Sequence, residues 1–155
     1  MRKQTYLITL AVLSSLSLAP ALYSNAAYAV DDDTSTGSVD LTSVRAKIEA
    51  KNYKAALEEL RGLAEDTQEA DIYNLMGYTL RKTGDFDTSL TYYNKALSLQ
   101  PDYKPAREYL GELYVETGHM DKAHEQLAAL EKLCPSGCEE REDLEKAIAG
   151  GKAVD

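Results

Sequence analysis

Between residues 70 and 137 the chain writes one steric pattern twice, at a spacing of 34 residues. Met76 pairs with Leu110, Gly77 with Gly111, Leu80 with Tyr114 and Gly84 with Gly118. Further along, Phe86 pairs with Met120, Ser89 with Ala123, Tyr93 with Leu127, Leu99 with Leu133 and Pro101 with Pro135. Small residues meet small, large apolar ones meet large, and turn formers meet turn formers. A single sheet or an isolated catalytic motif does not require this. A stack of like units does, because each unit buries its face on the next.

The size-restricted positions show what the unit is. The middle copy reads Tyr73, Met76, Gly77, Leu80, then Gly84, Asp85, Phe86, then Ser89, Tyr93, Ala96 and Pro101. Gly77 and Ser89 suit a close approach of two helices, where a branched side chain would force them apart. Gly84 suits the positive φ that ends a helix, and Asp85 is placed to cap the next one. Pro101, without an amide hydrogen, fits a turn or a first helical position. In this order the residues resemble the tetratricopeptide repeat. The resemblance implies an all-α solenoid of about three helix-turn-helix repeats with a C-terminal capping helix, seven helices in antiparallel pairs following a right-handed superhelix.

The rest of the chain divides around this core. Residues 1–29 carry Arg2 and Lys3, an apolar run from Tyr6 to Leu22 thinned by Ser14, Ser15, Ser17 and Pro20, and Ala27-Tyr28-Ala29 before three aspartates. That is the layout of a secretory signal cleaved after Ala29, with an uncleaved anchor as the alternative. Residues 30–38 are polar enough to be a disordered lead. A degenerate first repeat occupies 39–69: Tyr53, Ala56, Leu57, Leu60 and Leu63 copy the second helix of the unit, whereas Ser43, Val44 and Lys47 depart from the first. The second repeat is 70–103 and the third 104–137. Residues 138–149 form the capping helix, with Leu144, Ala147 and Ile148 on one stripe and acids at its start, and 150–155 are a tail.

Charge narrows the partners. The net charge is −9, and loss of residues 1–29, which hold two bases and no acid, takes it to −11. Such a surface repels phosphate backbones and anionic headgroups, so neither nucleic acid nor membrane docking after signal cleavage is expected. A protein or peptide with basic regions is favoured. A purely solubilising role for the charge remains open at this point, as does self-association.

Cys134 and Cys138 bracket Pro-Ser-Gly and are the chain's two cysteines. In an exported chain the simplest reading is a disulfide that stiffens the joint between the last repeat and the cap. A periplasmic metal-binding or redox accessory protein using this C-x3-C pair is the alternative, with His119, Met120 and His124 as nearby soft ligands. Against one shared site, His124 lies roughly 15 Å of helix from Cys134. No nucleophile-base set or phosphate-binding glycine loop is present in the sequence, so neither catalysis nor a cofactor is expected.

The resemblance also implies where recognition occurs. Exposed positions on the first helix of each unit line a concave groove, and they map to Arg45, Ile48 and Glu49 in the first unit. In the second they are Asp71, Asn74, Tyr78, Arg81 and Lys82, and in the third Glu108, Glu112, Val115 and Glu116. Arg45, Asn74, Tyr78, Arg81, Glu108 and Glu112 are the candidate contact set, with Tyr78 and Tyr109 as aromatic contacts in a groove graded from basic to acidic. A cradle for a terminal carboxylate, known in one branch of the family, lacks its donors here: the corresponding places hold Leu41, Arg45, Leu75, Pro105 and Tyr109. The expected role is a scaffold, adaptor or assembly factor of the bacterial envelope, most simply the periplasm.

Overall fold

The computed structural model describes residues 39–151, and within them lie seven helices and no strand. They are α1 (Thr42–Glu49), α2 (Tyr53–Asp66), α3 (Ala70–Lys82), α4 (Phe86–Leu99), α5 (Lys104–Glu116), α6 (Met120–Leu133) and α7 (Glu139–Gly150). The expected signal segment, the lead and the last four residues of the tail fall outside the described residues. Among the described residues no helix is long and apolar enough to cross a membrane. The helices nest as hairpins: α1 on α2, α3 on α4 and α5 on α6, with α3 also against α2 and α5, and α7 laid on α5 and α6. The all-α solenoid is therefore the observed architecture.

Each hairpin turn closes in the same way. The amides of Asn52, Asp85 and His119 donate to the carbonyls of Lys47, Leu80 and Tyr114, five residues back, at 2.7–3.0 Å. This bond needs a left-handed residue just past the helix. Gly84 (φ 85°) and Gly118 (φ 77°) fill that place in the second and third units, and Lys51 (φ 57°) fills it in the first. A side chain there costs roughly 1–2 kcal/mol that glycine avoids. The first unit thus keeps the turn but not its preferred residue. Asp85 then starts α4 as foreseen, its carboxylate accepting from the Thr88 amide at 3.2 Å.

The first unit is also the shortest. Helix α1 has 8 residues against 13 in α3 and α5. Its Val44 is buried with Leu41 against Ala56 and Leu60 of α2, and Ile48 packs beside them. Lys47, standing where the family places an aromatic, instead reaches across to Glu59 of α2. The hairpin is held by a small apolar contact and an ion pair.

In the second unit the close approach is real, but its partner is a ring. Ser89 Oγ donates to the Gly77 carbonyl at 2.7 Å, so α3 and α4 touch at backbone range. A Cβ added to Gly77 would lie 2.7 Å from two carbons of the Tyr93 ring, which is fully buried. In the third unit the same Cβ on Gly111 would lie 2.5 Å from a methyl of Leu144, so there the glycine seats the cap rather than the hairpin. Leu144 and Ala147 of α7 complete a cluster with Val115, Ala123 and Leu130. Between α6 and α7 the sulfurs of Cys134 and Cys138 are bonded to each other, closing a loop in which Gly137 takes φ 96°.

These contacts separate two helical glycines, Gly62 and Gly77, that are alike in local propensity. Gly62 in α2 has nothing within 4 Å of an added Cβ. Gly62→Ala is expected to stabilise the chain by about 0.5–1 kcal/mol in urea unfolding. Gly77→Ala is expected to cost about 1–3 kcal/mol through overlap with the Tyr93 ring. Equal effects of the two substitutions would contradict the packing described.

Candidate partner-binding groove

The face shared by α1, α3 and α5 opens onto a cleft of about 970 Å³. Ile48 and Glu49 of α1, Tyr53 of α2, Tyr78, Arg81 and Lys82 of α3, Phe86 of α4 and Glu116 of α5 are among its walls. A smaller hollow of about 180 Å³ continues from it along Arg45, Leu75, Tyr78 and Tyr109. Helical spacing explains the convergence: Asn74, Tyr78 and Arg81 lie on one face of α3, and Glu108, Glu112 and Glu116 on one face of α5. Neighbouring first helices therefore present these faces side by side.

Arg81 is the centre of the arrangement. The residue is 3% exposed, and its guanidinium lies 2.7 Å from Glu112 Oε2 and 3.1 Å from Glu116 Oε1. The bond to Glu116 is well directed, whereas the contact with Glu112 is one of charge, and Arg81 Nε has no acceptor. The rings of Tyr78 and Tyr109, with centroids 5.1 Å apart, flank it, its carbon 5.7 Å from each. Flat cations stack on ring faces in this way. The cluster ties the second unit to the third through groups largely withdrawn from water.

This corrects part of the expected contact set. Only Arg45 and Tyr78 of the six residues retain substantial exposure, and Arg45 is bound to Asp71 at 2.6 Å. Asp71 also accepts from the Tyr103 hydroxyl at 2.7 Å, so Arg45 belongs to a link between α1, α3 and the start of α5. Asn74 (2% exposed), Arg81, Glu108 (8%) and Glu112 (1%) are buried within the stack. The positions are those of the concave face, but long side chains on adjacent helices fold onto one another there. The foreseen basic end is internally neutralised: the charge of Arg45 meets Asp71, and that of Arg81 meets Glu112 and Glu116.

Acidity persists toward the cap. Burial, then the nearby Glu112, Asp143 and Glu140, pushes the Glu108 carboxyl up to about 8. Burial likewise raises Glu112, with Arg81 opposing it. Tyr109 is pushed up to about 12, by burial first and Glu108 next. Glu140 and Asp143 belong to α7, and sequence reasoning assigned the acids at this helix start to its dipole alone. Their second neighbour, a carboxylate on α5, depends on how the cap docks.

Elsewhere the soft-ligand candidates are spoken for. His124 Nδ1 bonds the Met120 carbonyl at 2.8 Å, one turn back, and His119 Nδ1 meets Thr117 Oγ1 at 3.0 Å. Cys134 and Cys138 bond each other. The structure thus does not bring the histidines and cysteines to one point.

An acid whose folded pKa lies above its unfolded value destabilises the fold once pH exceeds the unfolded value, because only the unfolded chain releases the proton freely. For Glu108 that loss grows from the ordinary carboxylate range up to about pH 8. Glu108→Gln should match wild type near pH 4, below the ordinary glutamate value, and be more stable at pH 8.5, by about 1–3 kcal/mol. The pH dependence of urea midpoints checks this; parallel curves for the two proteins would refute it.

Comparison with known sequences agrees with the helical pattern. Residues 70–103, from the start of α3 to the threshold of α5, match the family described as "Tetratricopeptide repeat". A protein of Guillardia theta described as "Uncharacterized protein ycf37" is 35% identical over 72 residues, which cover 46% of this chain and 40% of that protein. The match therefore spans about two fifths of the relative's length. Two written repeats, hairpins closed by the same turn and this match carry one conclusion: residues 70–103 are similar to a tetratricopeptide repeat, and the helical hairpins on either side follow the same pattern.

Proposed function

We propose that the chain is a non-catalytic scaffold, adaptor or assembly factor of the bacterial envelope that holds a protein or peptide against the face of α1, α3 and α5. Tetratricopeptide repeats serve as protein-protein interaction modules, and the cleft of about 970 Å³ framed by residues of all three units carries the reading for this chain. Its walls are preorganised. Arg81 fixes α5 to α3, and the Arg45–Asp71–Tyr103 link fixes α1 to both, so little conformational freedom is lost when a ligand enters. The half-buried Tyr78 and Tyr109 offer rigid aromatic area of the sort that dominates interfaces.

Export rests on other observations. The signal-like layout of residues 1–29 and a cysteine pair joined as a disulfide both suit an oxidising compartment such as the periplasm. The pair braces the joint to the cap, which supports a structural use of the cysteines over a metal or redox one.

Crosslinked pull-down from envelope extract tests the groove. Tyr78→Ala opens the aromatic wall without touching the α3–α4 packing, so helicity by circular dichroism should be unchanged. Capture of the partner should fall by roughly tenfold, the scale of losing one aromatic anchor. Undiminished capture moves the binding surface off this face.

A further inference from the structure

Lys51 breaks the pattern of the hairpin turns. It takes φ 57° at the place that Gly84 and Gly118 hold in the other two units, so a side chain is carried where glycine would remove the strain. It is exposed and lines the cleft of about 970 Å³, and its ammonium has neither an ion pair nor a hydrogen bond among the described residues. Of the other charged groups along that cleft, Arg81 and Glu116 are bound to each other, and Lys82 lies 5.3 Å from the centre of the Tyr78 ring. Lys51 and Lys82 thus stand beside Glu49, two cations to one acid. The net charge of −9 describes the whole chain, and this rim departs from it. Two aromatic residues complete the wall. Tyr53 and Phe86 are the first residues of α2 and α4, the same place in successive units, and both line the cleft. Phe86 is 38% exposed, and among the described residues neither ring carries a stacked ring or a cation.

We propose that Lys51 is the specificity-determining residue of the cleft, pairing with a carboxylate of an acidic peptide segment whose large apolar side chain packs on Tyr53 and Phe86. This rests on the reading of the face as a peptide-binding surface and names the chemistry it selects. An ammonium offers donors only, so a carboxylate answers it and a basic side chain is repelled. An apolar side chain laid on Phe86 and Tyr53 removes exposed ring area from water, which a purely charged segment does not. The turn supplies the reason for the residue itself. Glycine at position 51 would ease the backbone and remove the charge, and strained positions of this kind gather where a side chain must be presented to a ligand. At physiological salt, repulsion from the chain's other acids is screened over about 8 Å, whereas direct contact with Lys51 is not.

The test uses the full 155-residue chain and blocked, dye-labelled octapeptides that alternate glutamate with phenylalanine, lysine with phenylalanine, or glutamate with alanine. Fluorescence anisotropy at neutral pH and physiological salt should show the glutamate–phenylalanine peptide binding about tenfold more tightly than either of the others. Lys51→Gly should weaken that binding by about fivefold while raising the urea midpoint of unfolding, an opposition that a lysine with a purely structural role does not give. Lys51→Arg should bind as wild type does. Lys132→Gln, which removes the same charge from an exposed position on α6, should leave binding unchanged. Undiminished binding by Lys51→Gly, equal weakening by Lys132→Gln, or a urea midpoint lowered by Lys51→Gly overturns the assignment. Preference for the lysine–phenylalanine peptide, or no saturable binding of the glutamate–phenylalanine peptide by wild type, does the same without recourse to any variant. If these fail while partner capture still depends on Tyr78, the groove stands and only its acidic preference falls. If capture is indifferent to Tyr78 as well, both fall.

Discussion

The ring of Tyr93 rests against the bare Cα of Gly77, while Ser89 donates across the same gap to the Gly77 carbonyl. This contact lets α3 and α4 approach at backbone range, and the rest of the stack is set from there. With α4 seated, Tyr93 also reaches Tyr109 of the next unit, ring centroids 6.4 Å apart, so the hairpin contact continues into the contact between units. One unit later Leu144 of the cap takes the place of the ring and lies against Gly111. A repeat thus needs no identical residues, only a void on one helix and a filled shape on whichever element comes next.

The functional face follows from the same geometry. First helices packed side by side bring Asn74, Tyr78 and Arg81 opposite Glu108, Glu112 and Glu116, and the cation of Arg81 is drawn under two tyrosine rings between two carboxylates. A buried ion cluster is a weak source of net stability, because desolvation offsets most of the attraction. Its consequence here is specificity of arrangement: α5 cannot slide on α3 without stranding Arg81, and the cleft keeps its shape. Local charge is then uneven. Arg81 serves two acids, and Glu108 is left facing more of them.

Much of this was legible in the residues alone, and the limits have physical causes. Helix number, turns and hairpin pairing are written in the spacing of glycines and bulky residues, since these report steric fit over short distances. Gly84, Asp85 and Ser89 do what their positions foretold. Exposure on the concave face was misjudged for Asn74, Arg81, Glu108 and Glu112, because periodicity says which face a residue occupies and not whether a neighbouring helix covers it. The carboxylates of α7 near Glu108 escaped for a related reason: they adjoin it only through docking of the cap, a contact between residues more than 30 apart. Lys51 in a left-handed turn was equally hidden, since the turn is enforced by the hairpin rather than by the residue.

If the concave face is the working surface, its first helices should feel a ligand before the second ones do. Amide hydrogen exchange across the chain, with and without the captured partner, reads this directly. Slowed exchange concentrated in α1, α3 and α5, with α2, α4 and α6 unchanged, is the predicted result. Protection confined to α2, α4 and α6 would place recognition on the opposite side of the stack and contradict the account.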